Sequence, residues 1–284
     1  MISPHAGNPS DEDLQRAEGC GGIVVSSSGG HTRIVDIFQR SPIRIMFPRM
    51  EGAAKEAVLV NTAGGIAGGD RLEYAVTALS NASIAVTAQA AEKVYRALDK
   101  PARIKARLKA CATAKLAWLP QETIVFNWAR LSRETEIDLS SGAELLALEW
   151  LVLGRAAHGE EMAGGRISDS WRVKKDGRLI WADGFRATDE VFSHLHRNAL
   201  LLSCKGIATL IYSGPHLNKG LEILRDIAPS LECHCGATSI NGLMIARFAA
   251  KAPSCLRLTL RNVLQQFGRE LGPGPFRVPK MWSC

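Results

Sequence analysis

Short segments in which apolar residues alternate with polar ones follow one another through the first half of this chain. In the clearest of them, residues 71–79, the side chains of Leu72, Tyr74, Val76 and Ala78 fall on one face. Such alternation is typical of half-buried β-strands, and many short strands at regular spacing indicate an all-β fold. The other predicted strands here are 32–38, 43–47, 57–60, 83–87, 103–109 and 114–118.

The second half of the chain predicts further strands and two helices. Residues 167–181 form a predicted hairpin, and Asn241-Gly242 marks a turn between two more strands. Apolar residues recur at helical spacing over 217–228 and from Pro253 to Phe267, so one helix lies near the C-terminus. Two further strands are predicted over 144–153 and 206–212.

The start of the chain differs in composition from the rest. Residues 1–30 are rich in Ser, Gly, Pro and acidic residues and lack periodicity, so we expect a disordered or weakly ordered tail. No repeat and no internal boundary is evident after it. We therefore expect a single domain over 31–284.

Charge and cysteine content restrict the class of protein. The net charge is +7, but aromatic residues make up only 6% and Lys and Arg are dispersed, which argues against a nucleic-acid binder and favours an acidic protein partner. No apolar stretch approaches the ~18 residues of a membrane span, and the polar start is no signal peptide. Seven cysteines, an odd number without framework spacing, indicate a reducing compartment, which we take to be the cytoplasm.

A glycine-rich loop joins two of the predicted strands. It runs from Asn61 to Arg71 and contains Gly64, Gly65, Gly68 and Gly69. Glycines in this density allow positive φ values or the close approach of another surface. No helix follows and the spacing fits neither a dinucleotide fingerprint nor a phosphate loop, so we expect a shaped structural loop. A glycine-rich turn without further function is the alternative.

Two other stretches place carboxylates in unusual positions. Pro120 interrupts an apolar strand and is expected to leave Gln121 and Glu122 displayed beside a bend. Glu149 lies within a strand that is otherwise almost wholly apolar, so it should be buried. A buried carboxylate needs a hydrogen-bonding or cationic partner, and it serves either a structural ion pair or a functional site.

One short cluster has the chemistry of metal ligands. Cys233, His234 and Cys235 are consecutive, but no second pair occurs at zinc-finger spacing. A closed site would need ligands from elsewhere in the chain. A small metal-binding module built on these three residues is the alternative to the functional hypothesis given below.

Five blocks in register together resemble the urease accessory protein family UreD, also called UreH. They run in order between about residue 32 and residue 282 of the chain. The blocks are Gly64–Asp70, Gln89–Arg96, Trp118–Glu122 with Phe126, Leu153–Arg155 with Gly159 and Glu160, and the C-terminal helix followed by Pro279–Trp282.

The resemblance implies a fold and a role. The fold would be a β-helix-like stack of short strands with a few peripheral helices. The role would be that of a non-enzymatic maturation factor that binds apo-urease, joins the accessory proteins UreF and UreG, and helps to deliver nickel to the urease active site. No cofactor would be bound permanently, with nickel present only in transit, and neither nucleic acid nor membrane would be a partner.

Candidate site residues follow from this role and from the chemistry of the side chains. A protein that passes on a divalent ion should offer loosely arranged oxygen ligands. We hypothesise that Asp70, Glu149 and Glu122 line an internal path for nickel. The alternative is that Asp70 caps its own loop and Glu149 pairs with Arg96 or Arg155.

A second set of residues is a candidate for contact with a partner protein. It consists of Lys93, Tyr95 and Arg96, because tyrosine and arginine combine a large contact surface with directed polar groups. The alternative is that Tyr95 packs in the core while the charges are solvated.

Overall fold

The computed structural model describes residues 16–49, 54–155, 158–197, 200–228, 232–272 and 274–283. It contains seventeen strands and three α-helices in these ranges. The strands are β1 (Glu18–Ser28), β2 (His31–Arg40), β3 (Ile43–Met46), β4 (Lys55–Asn61), β5 (Arg71–Ala78), β6 (Ser83–Ala88), β7 (Glu92–Val94), β8 (Ala102–Ala110), β9 (Lys115–Leu119), β10 (Thr123–Val125), β11 (Arg130–Leu139), β12 (Glu144–Leu153), β13 (Arg166–Lys175), β14 (Arg178–Ala187), β15 (Gly206–Ser213), β16 (His234–Ile240) and β17 (Leu243–Ala250). The helices are α1 (Asp189–Phe192), α2 (Leu217–Ile227) and α3 (Pro253–Glu270), and a 3-10 turn follows at Lys280–Ser283.

The strands form two sheets. The first sheet has seven strands in the order β14-β13-β11-β8-β5-β1-β2. The second has ten strands, of which eight run in the order β16-β17-β15-β12-β9-β6-β4-β3 and the short β7 and β10 attach beside β12. The prediction of a strand-rich fold with a few peripheral helices, one of them near the C-terminus, is confirmed.

The chain winds between these sheets as a solenoid. It passes from β4 in the second sheet to β5 in the first, back to β6, and on through β8, β9, β11, β12 and β13. Strands in successive turns pair in parallel, Arg71 with Arg103 and Lys55 with Ile84, so one turn takes about 30 residues. There are about four such turns, which confirms the β-helix-like stack.

The solenoid has two dissimilar edges. At one, which we call the turn edge, the first sheet returns to the second through tight turns at residues 79–82, 111–114 and 140–143. At the other, the loop edge, the second sheet returns to the first through longer segments. These segments are residues 62–70, 89–101, 120–129 and 154–165.

Two apolar cores flank the second sheet. One fills the space between the sheets and contains the inward side chains of β5, including Leu72 and Val76, as their alternation predicts. The other lies between the second sheet and helices α2 and α3, where Trp150, Trp282 and Phe267 are almost fully buried. Strand β12 is buried on both faces because it lies between the two cores. None of the described helices is long and apolar enough to cross a membrane.

One expectation from the sequence is wrong. The tail predicted over 1–30 is contradicted from Glu18 onward, because β1 pairs with β2 and β5 and buries Ile23 and Val25. Residues 1–15 lie outside the described residues. The solenoid turns recur in the structure, although no repeat is evident in the sequence.

The long helix extends slightly beyond its predicted end. The sequence predicts a helix that ends at Phe267, but α3 continues to Glu270. Helix α2 ends at Ile227, as predicted within one residue, and the proline at position 229 lies outside the described residues.

Candidate functional site

A charged cluster lies between the two sheets, in the half of the core nearer the loop edge. Its centre is Arg133 on β11, only 3% exposed. Its guanidinium group binds Asp169 of the neighbouring β13 with two bonds, Nε to Oδ1 at 2.9 Å and Nη2 to Oδ2 at 2.7 Å. Across the core it binds Glu149 of β12, Nη1 to Oε2 at 2.6 Å. One arginine therefore ties both sheets together.

Neighbouring polar groups complete the cluster. The indole Nε1 of Trp118 donates to Glu149 Oε1 at 2.8 Å, and Arg133 Nη1 also donates to Thr123 Oγ1 at 3.1 Å. Both partners of Arg133 and both oxygens of Glu149 are thus hydrogen-bonded, as burial of charge requires. The predicted burial of Glu149 is observed, at 6% exposure.

The protonation of the cluster reflects its burial. Desolvation raises the pKa of Glu149, while the charge of Arg133 and the Trp118 hydrogen bond oppose that rise. For Arg133, burial works against the charged form, but the carboxylates of Asp169 and Glu149 outweigh it and raise the guanidinium pKa. The guanidinium therefore stays charged at every physiological pH.

Two cavities meet at this cluster. The larger, about 420 Å³, lies on the side of β14, β15 and β17, and its polar lining includes Asp183, Thr209 and Arg247. The smaller, about 290 Å³, reaches the loop edge at Gly64 and Gly65. Both are lined by Arg133 and Glu149. The salt bridge between these two side chains thus stands at the junction of the two cavities.

The smaller cavity contains a second carboxylate with an altered pKa. Asn61 Nδ2 donates to both oxygens of Glu92, at 3.0 and 3.1 Å. Burial raises the pKa of Glu92 to about 7, although the Asn61 hydrogen bond and the nearby Lys93 act in the opposite direction. This cavity therefore offers a carboxylate that changes charge near neutral pH.

Asp70 lies apart from the cluster. It is 6% exposed, and its carboxylate accepts hydrogen bonds from two backbone amides, Ala17 N to Oδ1 and Ala67 N to Oδ2, both at 2.8 Å. It lines neither of the two cavities. The structure therefore gives Asp70 a loop-capping contact, in line with the alternative considered for it, and does not bring it together with Glu149.

Glu122 is held on the outer side of the second sheet by helix α3. Arg257 Nη2 binds its two carboxylate oxygens at 2.6 and 2.5 Å and also donates to Gln121 Oε1 at 3.0 Å. Gln121, in turn, donates to the carbonyl oxygens of Gln89 and Met281, each at 3.0 Å. The expectation that Gln121 is displayed is wrong, because this residue is 6% exposed and anchors the C-terminal segment; it also lines the smaller cavity.

The proposed partner-contact residues lie at the loop edge. Lys93 and Arg96 are exposed, and Tyr95 is 37% exposed. The Tyr95 ring meets the edge of Phe126 and its hydroxyl donates to the carbonyl oxygen of Gly64 at 2.9 Å. These residues therefore stand on the outside of the glycine loop, with Tyr95 bracing it.

The four glycines fit this packing. Gly64, Gly65 and Gly69 have positive φ, and a Cβ on Gly65 would lie 2.5 Å from the ring of Tyr95. A Cβ on Gly68 would lie 2.6 Å from the carbonyl oxygen of Lys100. The loop sequence thus allows the next turn of the solenoid to pack directly against it.

The alternative metal module finds no support in the described residues. Cys233 and Cys235 face helices α2 and α3, where Cys233 Sγ contacts Thr259 Oγ1 at 3.4 Å, whereas His234 is exposed. Burial raises the pKa of Cys235 to about 11, which disfavours the thiolate that binds metals. Within the described ranges no three His, Cys, Asp or Glu side chains are arranged to hold a metal ion.

Sequence reasoning missed Arg133, Asp169 and Glu92. Arg155, considered as a partner for Glu149, binds Glu160 instead, Nε to Oε2 at 2.7 Å, and Arg96 makes no ion pair with a described residue. A signal for Arg133 did exist: it occupies an inward position of β11 between Leu131 and Thr135, a charged residue in an alternating strand.

Comparison with known proteins identifies the family. The family model described as UreD urease accessory protein matches residues 17–283. The chain belongs to the UreD family. Similar proteins named urease accessory protein UreD come from Methylobacterium sp. strain 4-46, 39% identical over 97% of this chain and 98% of the relative, and Xanthobacter autotrophicus, 40% identical over 95% and 91%. Another, from Rhodopseudomonas palustris, is 40% identical over 94% of each chain.

The blocks that resemble the UreD family have a common location. Four of the five lie in, or directly beside, the successive segments of the loop edge, although about 30 residues separate them in sequence. The fifth, the C-terminal helix and tail, contacts the loop edge through Arg257 and Met281. The features by which the family is recognised are therefore gathered at one edge of the solenoid.

Proposed function

We propose that this chain is a non-catalytic urease maturation factor that binds apo-urease and, with UreF and UreG, enables insertion of nickel into the urease active site. Membership of the UreD urease accessory protein family supports a role in urease maturation. Free cysteines in the described residues are consistent with assembly of such a complex in the cytoplasm.

The observation that carries the nickel-handling part of the proposal is the pair of cavities that meet at Arg133 and Glu149. Buried ion pairs seldom stabilise a fold more than well-packed apolar side chains of similar volume would. A charged cluster in a strand stack with a large apolar core is therefore better explained by a task that needs charge. Nickel is the cargo in this proposal and is held only in transit.

The cluster offers suitable chemistry for such a cargo. A hydrated divalent ion is attracted by carboxylate oxygens and repelled by a guanidinium group. Glu149 and Asp169 supply the carboxylate oxygens, and Arg133 supplies the guanidinium group. The ion can therefore pass only when Arg133 releases one of its two carboxylate partners. Glu92 and Asn61 place further oxygen atoms in the smaller cavity.

The other two predicted path residues have indirect roles in this proposal. Asp70 fixes the glycine loop that bounds the smaller cavity, through its bonds to Ala67 and Ala17. Glu122 fixes the position of Gln121 in the wall of that cavity through their shared partner Arg257. Lys93, Tyr95 and Arg96 remain the residues proposed to contact a partner protein.

The test compares two carboxylates on the same strand. Glu149→Gln removes the charge at the junction of the cavities, whereas Glu144→Gln removes one that binds Lys115 at 2.9 Å and lines neither cavity. Each variant is co-expressed with urease subunits and accessory proteins in nickel medium. We expect Glu149→Gln to reduce urease activity about tenfold or more and Glu144→Gln to leave it nearly unchanged.

Capture of apo-urease and thermal melting are measured on the same preparations. Glu149→Gln should bind apo-urease as the wild type does and remain folded. Full urease activation by a folded Glu149→Gln variant would overturn the path, while failure of the wild-type chain to capture apo-urease or to support activation would overturn the maturation role.

A further inference from the structure

A small pocket at the loop edge is lined by side chains that take no part in the internal path. It measures about 130 Å³ and lies where the segments 89–101, 120–129 and 154–165 meet the start of α1. The larger side chains that line it are those of Arg96, Leu98, Trp128, Arg130, Arg166 and Asp189.

The pocket concentrates positive charge. Arg130 and Arg166 begin neighbouring parallel strands and are directly paired in register, which places two like charges side by side. Arg96 joins them from the adjacent loop. Among the described residues none of the three makes an ion pair with a carboxylate, and the single acidic lining residue, Asp189, accepts a hydrogen bond from Gly165 N at 2.7 Å.

Apolar side chains border this charge and are open to solvent. Leu98 is 80% exposed and Trp128 is 43% exposed. Trp128 also has a φ of +62°, a conformation that costs a bulky residue about 1–2 kcal/mol. Its ring packs on Gly164, where a Cβ would lie 2.5 Å from the indole. A strained and partly exposed tryptophan points to a function for this surface.

We propose that this pocket is a docking site for an acidic segment of a partner protein. A carboxylate of that segment sits among the guanidinium groups of Arg96, Arg130 and Arg166, and an apolar side chain packs against Leu98 and Trp128. Arginine binds carboxylates with paired, charge-assisted hydrogen bonds, and tryptophan and arginine are frequent anchors of protein interfaces. The assignment rests on the proposed function in one respect, that the partner belongs to the urease maturation complex.

The first experiment uses the purified chain and poly-L-glutamate as the probe. The variant Arg96→Glu/Arg166→Glu reverses two charges of the pocket. The control Arg33→Glu/Arg178→Glu reverses two exposed arginines near the turn edge that make no ion pair with a described residue. We expect binding to weaken about tenfold or more in the pocket variant and to stay within about threefold of wild type in the control.

Competition separates a carboxylate segment from a simple anion. Inorganic phosphate at equal charge concentration should displace poly-L-glutamate poorly, because it cannot contact Leu98 and Trp128. Equal displacement by phosphate would overturn the assignment to a protein segment. Equal binding of poly-L-glutamate by the pocket and control variants would overturn the pocket itself.

Capture of purified apo-urease and UreF distinguishes this inference from the proposed function. The pocket variant should lose capture of one of them while the control retains both. If the wild-type chain binds poly-L-glutamate through the pocket but captures neither protein, the docking site stands and the maturation role fails. If wild type and pocket variant capture both proteins equally, the docking site fails and the maturation role stands.

Discussion

The turn edge and the loop edge both connect the same two sheets, yet their connecting segments differ in length and in residue type. At the turn edge, Ala82, Ala114 and Ala143 stack in successive turns, all nearly fully buried, and each amide donates to the carbonyl three residues earlier at 3.0 Å. The loop edge uses longer segments that carry glycines, exposed aromatic side chains and an arginine, Arg96, that makes no ion pair with a described residue.

The core between the sheets shows the same contrast. Near the turn edge, β11 presents Ile137 and Leu139 inward, and β12 presents Leu145 and Ala147. Near the loop edge the same two strands present Arg133 and Glu149. One half of the stack is thus built for stability, and the other tolerates cavities and charge. We infer that function is confined to the loop-edge half.

The largest effect is expected from breaking the charged cluster. Arg133→Leu leaves Glu149 and Asp169 buried without a cation, which should lower the free energy of unfolding by about 3–5 kcal/mol. Replacing all three residues by leucine should recover most of that loss, since no buried charge then remains. Urea unfolding of both variants measures these changes.

The triple variant also separates stability from function. It should fold but fail to support urease activation. A triple variant that activates urease normally would show that the polar half of the core is not needed for function. It would contradict the inference that function is confined to the loop-edge half.

A smaller effect is expected from the pH dependence of Glu92. Its folded pKa of about 7 lies above the ordinary value of 4.5, so the folded state binds the proton more tightly. The contribution to stability is therefore present below pH 4.5 and is lost as the pH rises through about 7, about 3 kcal/mol in all. Glu92→Gln should remove this dependence.

Urea unfolding at about pH 5.5 and about pH 8.5 checks the prediction, because the difference between these conditions should shrink in Glu92→Gln. The control is Glu136→Gln, which alters a half-exposed carboxylate bound to Lys105 at 3.0 Å on the outer face of the first sheet. The same reduction in both variants would contradict a special environment for Glu92.

The sequence predicts strands with uniformly apolar inward faces better than strands whose inward faces carry polar residues or glycine. Alternation identifies β5 because its inward residues, Leu72 to Ala78, are uniformly apolar. The same method misses β11, whose inward face includes Arg133 and Thr135. It also misses β1, where Gly19 and Gly21 replace apolar residues because Ile43 lies 2.9 Å from where either Cβ atom would be.

Side-chain contacts between the two sheets cannot be predicted from local sequence patterns, and the reason is physical. The burial of Glu149 follows from its apolar strand, but its partner depends on which residue of the opposite sheet faces it. That residue is fixed by the registers of β12 on β9 and of β8 on β11, both set by long-range pairing. The family resemblance supplies the fold and the important loops but no pairing of side chains.

A matched pair of glycine substitutions compares the edges directly. Gly65→Ala at the loop edge must displace Tyr95, whose ring would lie 2.5 Å from the new Cβ, in addition to the strain of a φ of +153°. Gly142→Ala at the turn edge has a φ of +79° and one neighbour at 3.8 Å. We expect losses of about 2 kcal/mol and about 1 kcal/mol respectively in urea unfolding, and weaker capture of partners only for Gly65→Ala.

Equal losses in stability and equal capture would contradict the view that the loop-edge glycines serve close packing of a functional surface. Tyr95→Phe is a useful companion variant, since it keeps the ring and removes only the hydrogen bond to Gly64. It should cost about 1 kcal/mol and leave the ring contact with Phe126 intact.

The smallest change in stability is expected from two residues that share a φ of +62°, Thr113 at the turn edge and Trp128 at the loop edge. Replacement by glycine relieves the strain, but it removes the Thr113 hydrogen bond to Asn81 Oδ1 at 2.7 Å in one case and the packing of Trp128 on Gly164 in the other. The net change should stay within about 1 kcal/mol for both. Capture of partner proteins should then fall only in Trp128→Gly. Thr113 closes a turn, whereas the strained conformation of Trp128 exposes its side chain for contact with a partner. Equal capture by both variants would show that the strain at Trp128 serves the fold alone.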